Sequence, residues 1–417
     1  VSQPWRGYLL TTLLVFLLQI LLPVFAWSDL STNQLNQLGV EAFEAGDTGR
    51  AVDYLRQARA AQPYDPQILK NLTNLLLAHG HKLMQEHLYS EAAEFFLEGQ
   101  EIAPENPRFW LYRAHALLAL REYAEAEVEV NEALGMDPED AVPWALLGRI
   151  YYDTGRLREA VSAWEEALAR SPEDTGLAGS LAKARRELQV EQEMTQSYGA
   201  SFVISYDGDT HADLGPELLS VLNEAYVEVG ANLDYYPTGQ VPVLIYTQEE
   251  FSHITQSPGW AAGLYDGKIR IPLGGVTRIS PQLRALLYHE YTHVVVRDLA
   301  RGQCPTWLNE GLAGVAAQSQ FDPQLRQLES AQRLFSLQEL TGSWKELPVD
   351  RVRLAYEQSS SFTGYLIDYY GWYQIKNLLH VFALGATEAD AFSEVFSSYG
   401  QDLNSLKSDW QESLGRD

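Results

Sequence analysis

The sequence predicts an array of paired helices followed by a mixed α+β region. Three observations carry that expectation: small residues and prolines return at fixed offsets in the first half, short β-prone runs begin after about Ser197, and a His-Glu-x-x-His pentad is followed by a downstream carboxylate. With 417 residues, 46% hydrophobic and 21% charged, the chain has apolar material for two or three domains and is too apolar to be mainly disordered.

The repeats start at Thr32, Thr73, Pro107 and Ala141, with spacings of 41, 34 and 34 residues. Seven residues after each start stand Gly39, Gly80, Ala114 and Gly148, and nineteen after stand Ala51, Ala92, Ala126 and Ala160. Small side chains at these offsets let two helices approach closely. Ala58, Gly99, Ala133 and Ala167 follow at offset twenty-six, and Pro63, Pro104, Pro138 and Pro172 at thirty-one, where proline stops the second helix. Trp110 and Trp144 fill an early aromatic slot. The first spacing exceeds 34 by seven, which predicts a longer connection after Pro63. This pattern resembles the tetratricopeptide repeat. The resemblance implies an α-solenoid of four repeats over 32–194, closed by a polar capping helix from about Thr175 to Met194, with a concave face that binds peptides or partner proteins.

Ahead of the repeats, Tyr8 to Ala26 is nearly all apolar, with Arg6 as the only early side-chain cation. Residues 1–27 therefore read as an export signal or a membrane anchor, long enough to span a bilayer, and the expected location is exported: periplasmic, extracellular or membrane-tethered. Thirty basic against 56 acidic residues give a net charge of −26, which repels phosphate backbones and argues against a nucleic-acid partner. Cys304 is the only cysteine, so an intramolecular disulfide or an all-cysteine metal site is excluded. Any bound metal must be held by histidine and carboxylate.

From 200 to 417 the sequence alternates differently. Phe202–Tyr206 and Val241–Tyr246 are β-prone and flank a helical stretch from about Leu214 to Val229, while Gly267–Gly274 alternates polar and apolar residues as an edge strand does. Then comes Leu286-Leu-Tyr-His289-Glu290-Tyr-Thr-His293. On a helix His289 and His293 lie one turn apart on one face and can reach one ion, with Glu290 beside them as a base for an acidified water. Seventeen residues beyond His293, Trp307-Leu-Asn-Glu310-Gly places a carboxylate on a second helix. Three protein ligands leave a fourth zinc position open, which is the catalytic arrangement.

His-Glu-x-x-His followed by Trp-Leu-Asn-Glu-Gly resembles the gluzincin metallopeptidases, the group of thermolysin and the aminopeptidase N family, over roughly Phe202 to the C-terminus. The fold class implied is an α-solenoid of tetratricopeptide repeats followed by an α+β gluzincin (thermolysin-like) metallopeptidase domain. The resemblance implies one Zn²⁺ per chain on His289, His293 and Glu310, with Glu290 as general base in peptide-bond hydrolysis. It also implies an oxyanion-stabilising tyrosine at Tyr356, which opens the Tyr356-Glu357 segment, with Tyr365 and Tyr288 as rivals and His380 or an arginine as other donors. Asp298 is a candidate to orient His293. The Gly-x-Met-Glu-Asn signature of aminopeptidases is absent and Gly274-Gly275 stands near its place, so an endopeptidase is favoured. The region's length resembles the compact peptidase MA-like domains found behind tetratricopeptide repeats. The alternative is a non-catalytic repeat scaffold with a zinc-binding, metallopeptidase-like domain.

Overall fold

The computed structural model describes residues 30–206, 214–255, 264–265, 267–273, 276, 278–319, 328, 333–342, 344 and 347–415. The expected signal or anchor segment 1–27 and the Gly274-Gly275 pair lie outside these residues. Among the described residues no helix is long and apolar enough to cross a membrane. The packing divides into two compact units, residues 30–79 with Glu101–Ala103, and Gly80–Gln100 with Pro104 onward.

Among the described residues, nine helices run in succession before the first strand: α1 (Thr32–Glu44), α2 (Thr48–Ala61), α3 (Pro66–Gln85), α4 (Tyr89–Ile102), α5 (Pro107–Ala119), α6 (Tyr123–Met136), α7 (Ala141–Asp153), α8 (Leu157–Arg170) and α9 (Thr175–Glu191). Side chains cap six of them: Ser31, Asp47, Asp65, Asn106, Asp140 and Asp174 each accept from a backbone N–H of the following turn. The repeated small residues work as the spacing predicts. Ala51, Ala92, Ala126 and Ala160 are fully buried, and a Cβ on Gly39 would stand 2.6 Å from Leu55 Cγ. Each early tryptophan ties its helix to the preceding turn, Trp110 Nε1 donating to the Pro104 carbonyl at 3.0 Å and Trp144 Nε1 to that of Pro138 at 3.2 Å. The seven extra residues do not lengthen the connection after Pro63. They extend α3, which has 20 residues where α1, α5 and α7 have 13, because Pro66 starts the helix two turns early.

A five-stranded sheet comes next among the described residues, built from β1 (Thr195–Tyr198), β2 (Phe202–Tyr206), β3 (Val241–Tyr246), β4 (Leu264–Tyr265) and β5 (Ile269–Pro272) in the order β1-β2-β3-β5-β4. The three central strands are parallel and both outer strands antiparallel, with Ile204 opposite Val243 and Val243 opposite Ile269. Alternation sends Phe202, Ile204, Val243, Ile269 and Ile271 into the main core with α10 (Leu214–Leu233) and α12 (Pro281–Leu299). The opposite face carries Leu244 and Tyr246, which pack on Phe251 and Ile254 of α11 (Gln248–Thr255) and on Val190 of α9.

That second face corrects the expectation of an edge strand. β5 has a neighbour on each side, and its polar positions are not solvated: Lys268 and Arg270 are 4% and 0% exposed. They lie under α9, where Arg270 Nη2 meets Glu187 Oε1 at 3.0 Å and Lys268 reaches Glu191 at 3.3 Å. Tyr152 donates to Glu187 and Tyr246 to Glu191, each at 2.6 Å. The capping helix is thus pinned to the sheet by ions that satisfy one another. Burial works against the Glu187 carboxylate, yet Arg270, Lys268 and the Tyr152 hydroxyl hold it below its ordinary value of 4.5.

The chain continues through α13 (Thr306–Gln318), α14 (Leu337–Thr341), the long α15 (Val349–Ala383), α16 (Glu388–Phe396) and α17 (Leu403–Ser413). Gly371, at φ 80° and ψ 164°, breaks α15 into two segments. Phe362 stacks at 5.2 Å on Trp307 and lies 5.2 Å from Trp410, which locks α13, α15 and α17 together.

A lowered folded-state pKa gives stability that is present above the unfolded value and lost as pH falls through the folded one. The melting temperature should therefore drop as pH falls below 4.5, and Glu187→Gln should make that drop smaller. At pH 7 the same substitution, by leaving Arg270 buried without its counter-charge, should cost roughly 3–5 kcal/mol in a denaturant titration.

Candidate metal centre

Two helices and a seam of small residues assemble the site. Ser280 caps α12 by accepting from Leu283 N at 3.1 Å, with Pro281 in the first turn. The apolar positions Leu287, Tyr291, Val294 and Val295 bury the helix in the main core, so the stripe bearing His289 and His293 is held facing α13. Trp307 is fully buried, and its Nε1 donates to Glu388 Oε2 at 3.3 Å, which fixes the start of α13.

The rest of α13 is set by its contact with α15. A Cβ on Gly311 would run into the Thr363 hydroxyl and stand 2.6 Å from the Ser359 carbonyl oxygen, and one on Gly314 would overlap the Ser360 side chain. The two helices approach at a distance that only glycine permits. This contact places Glu310 beside the histidines and brings Tyr356, on the first segment of α15, toward them.

The geometry is compact. Glu310 Oε2 lies 3.4 Å from His289 Nε2 and 3.6 Å from His293 Nε2, and one donor atom from each of the three residues falls within 4.8 Å of the others. The two imidazoles are perpendicular, with centroids 4.7 Å apart. Glu310 Oε2 is buried without a hydrogen-bond partner among the described residues, as is Glu290 Oε2. A buried carboxylate oxygen left unpaired between two imidazole nitrogens fits a cation better than it fits an empty core. Burial would raise Glu310, but His293 and His289 hold it below the ordinary carboxylate value. Glu290 is 4% exposed and stands outside the three-donor cluster. Its carboxyl is pushed up to about 7, mainly by burial, with His293 opposing and Glu310 adding to the rise.

Asn309 is the residue that the sequence pattern did not single out. His293 Nδ1 lies 3.0 Å from its Oδ1. An amide oxygen only accepts, so Nδ1 carries the proton and Nε2 keeps a lone pair toward Glu310. The available signal was its place directly before Glu310, on the same helical turn. Asp298, expected in this role, lies elsewhere: it pairs with Arg121 and accepts from Tyr235 at 3.4 Å, because five residues along α12 carry it off the face of His293.

Of the candidate tyrosines, Tyr356 is the one near the cluster. Its ring centroid is 6.3 Å from that of His289, edge-on to Trp344 at 5.1 Å, and burial, then Glu310 and Glu290, raise its hydroxyl well above the ordinary value. Tyr288 donates to Glu228 at 3.1 Å, and Tyr365 stacks on Tyr369 at 4.4 Å. His380 is exposed near the end of α15 beside Lys376 and Arg301, and burial pushes the Cys304 thiol up, which keeps it protonated.

If the α13–α15 seam sets the site, Gly311→Ala should force the helices apart, lowering stability by about 1–3 kcal/mol in chemical denaturation. The His293 ring NMR shifts should change in the same variant, since Asn309, which meets His293 Nδ1, rides with Glu310 on the helix that the added methyl displaces.

Comparison with known proteins agrees with this layout. Residues 230–416 match the family model described as Peptidase MA superfamily, and residues 83–150 and 141–174 match two tetratricopeptide repeat models. The Hsp70-Hsp90 organizing protein of Triticum aestivum is 26% identical over 126 residues, covering 30% of this chain and 22% of that protein. Small glutamine-rich tetratricopeptide repeat-containing protein 2 of Mycosarcoma maydis is 28% identical over 126 residues, 30% of this chain and 35% of that protein. This chain therefore spans about a fifth and a third of those relatives' lengths. A solved structure, the first tetratricopeptide domain of Spaghetti (RPAP3) bound to the HSP90 peptide SRMEEVD, is 25% identical and covers 28% of this chain and 93% of its own, with a TM-score of 0.28. The chain joins tetratricopeptide repeats to a C-terminal peptidase MA-like domain.

Proposed function

We propose that the protein is a zinc metallopeptidase that hydrolyses internal peptide bonds, with its repeats docking a protein partner or substrate. The observation that carries the proposal is the convergence of His289, His293 and Glu310 within 4.8 Å, around a buried Glu310 oxygen that has no hydrogen-bond partner among the described residues. The match to the Peptidase MA superfamily supports a peptidase, and the donor set, two imidazoles and one carboxylate, suits Zn²⁺. When bound, the ion supplies Lewis acidity at the scissile carbonyl and to the attacking water. Glu290 takes the proton of that water on its carboxylate and returns it to the departing amide nitrogen. Asn309 keeps His293 in one tautomer, and the Tyr356 hydroxyl donates to the carbonyl oxygen as negative charge develops there. On the sequence of residues 8–26 we further propose export or a membrane tether, and on the repeat pattern a peptide-binding surface.

The base and the ligands separate experimentally. Glu290→Gln should retain one equivalent of zinc and lose hydrolysis of a mixed peptide library by at least ~10²-fold, since the amide keeps the shape and cannot take the proton. His289→Ala, His293→Ala or Glu310→Ala should each bring bound zinc below one equivalent. Zinc without any chelator-sensitive cleavage in the unmodified protein would establish the scaffold alternative instead.

Tyr356→Phe deletes one hydroxyl and keeps the ring. The turnover number should fall by ~10²–10³-fold with zinc content unchanged, as for other oxyanion donors. An undiminished rate in Tyr356→Phe would take the role from this residue.

A further inference from the structure

Just before its break at Gly371, α15 presents an aromatic surface that the metal centre does not use. Tyr369 is 67% exposed, and Tyr365 stacks on it with centroids 4.4 Å apart. Tyr370 lies 5.1 Å from Tyr399, which stands in the turn after α16 and is 50% exposed. Single exposed rings are common, but contiguous ones mark a surface that a partner covers.

The next helix supplies the charge. The Trp410 indole of α17 donates to Ser361 at 3.1 Å, one turn before Tyr365, which brings Asp409 and Glu412 within electrostatic reach of the rings. Burial, then Asp409, raise the Tyr365 and Tyr370 hydroxyls above their ordinary value of 10, and Glu412 adds to the rise at Tyr365. Asp409 accepts from Gln401 at 3.1 Å, and neither carboxylate has an ion pair among the described residues. The neighbouring cations are turned away. Lys376 is held by Asp234 at 2.7 Å, and Lys407, two residues before Asp409, stands about 160° from it round α17.

Elsewhere the chain shows what such a combination takes up. Arg156 lies over the Tyr151 ring at 4.3 Å and pairs with Glu127 at 2.6 Å. Arg170 lies over Trp144 at 5.2 Å and pairs with Glu166 at 2.6 Å, and Arg284 lies over Tyr288 at 5.5 Å and pairs with Glu224. In all three places a ring face and a carboxylate hold one guanidinium, by stacking and a charge-assisted hydrogen bond. At Tyr365, Tyr369 and Tyr370 the rings and carboxylates are present, and no arginine of the described residues fills them.

We propose that this surface docks an arginine-bearing, basic segment of a partner polypeptide, its guanidinium groups stacked on the tyrosines and paired with Asp409 and Glu412. The same carboxylates repel the anionic headgroups of a lipid surface, which favours polypeptide over membrane. None of these residues belongs to the metal cluster, and the proposal does not depend on the peptidase reading.

A chain of net charge −26 attracts any basic peptide diffusely, so the decisive variants are those that hold net charge equal. With the full chain in EDTA at about 0.15 M salt, fluorescence anisotropy would follow a labelled decapeptide of arginines among glycines and serines, and its lysine and glutamine counterparts. The arginine peptide should bind at least about tenfold more tightly than the glutamine one and several-fold more tightly than the lysine one. Tyr369→Ala, which replaces an exposed ring and leaves the charge alone, should remove most of that preference, and Tyr369→Phe should keep it. Asp409→Asn/Glu412→Gln should weaken binding about tenfold, while Glu139→Gln/Glu173→Gln, an equal change of charge at exposed positions of the repeats, should not. Equal affinity for the arginine and glutamine peptides, full affinity in Tyr369→Ala, or equal losses in the two charge variants would overturn the proposal. Binding to zwitterionic lipid vesicles that Tyr369→Ala abolishes would overturn the choice of polypeptide.

Discussion

The close contact of α13 with α15 at Gly311 and Gly314 governs the rest of the candidate site. Glu310 precedes the first of these glycines, and Tyr356 lies one turn before Ser359 on the opposing helix. Any side chain larger than hydrogen at Gly311 would push Glu310 and Tyr356 to different depths, and the three donor atoms would no longer face one point. Stacking of Phe362 between Trp307 and Trp410 holds that contact under apolar cover, so the precision of a polar site rests on packing that is itself nonpolar.

The buried ions elsewhere follow a different logic. Arg270 and Glu187 are both fully buried, and such a pair adds little net stability beside an apolar alternative. What it adds is specificity of arrangement. An arginine in the middle of a parallel strand is tolerable only where a carboxylate meets it, so the capping helix can settle in one register on the sheet. Tyr152 and Tyr246 reinforce that register through their hydroxyls.

What could be read in the sequence was mostly what depends on neighbours in the chain. The repeat helices were legible because small residues and prolines recur at offsets that a helical hairpin requires. His289 and His293 were legible because a spacing of four places them on one face. Contacts between distant segments were not. Lys268 and Arg270 alternate with Ile269 and Ile271 like solvated positions of an edge strand, and only the carboxylates of α9, some eighty residues earlier, reverse that meaning. Asp298 lost its expected partner to Arg121 for the same reason, since no local pattern announces an ion pair across 177 residues. Asn309 escaped notice because its role appears only once α12 and α13 are side by side.

The longer α3 shows how such an array can absorb change. Seven residues fall only ~20° short of two full turns of α-helix, so adding them returns the helix to nearly the same azimuth. Ile68, Leu72, Leu75, Leu76 and Leu83 accordingly continue a buried line through the added turns and into the original part of the helix. An insertion of three or five residues would have swung that line toward water. Growth by whole heptads is thus rotationally almost silent, and a repeat array of this kind can lengthen one of its rods without re-aiming the next.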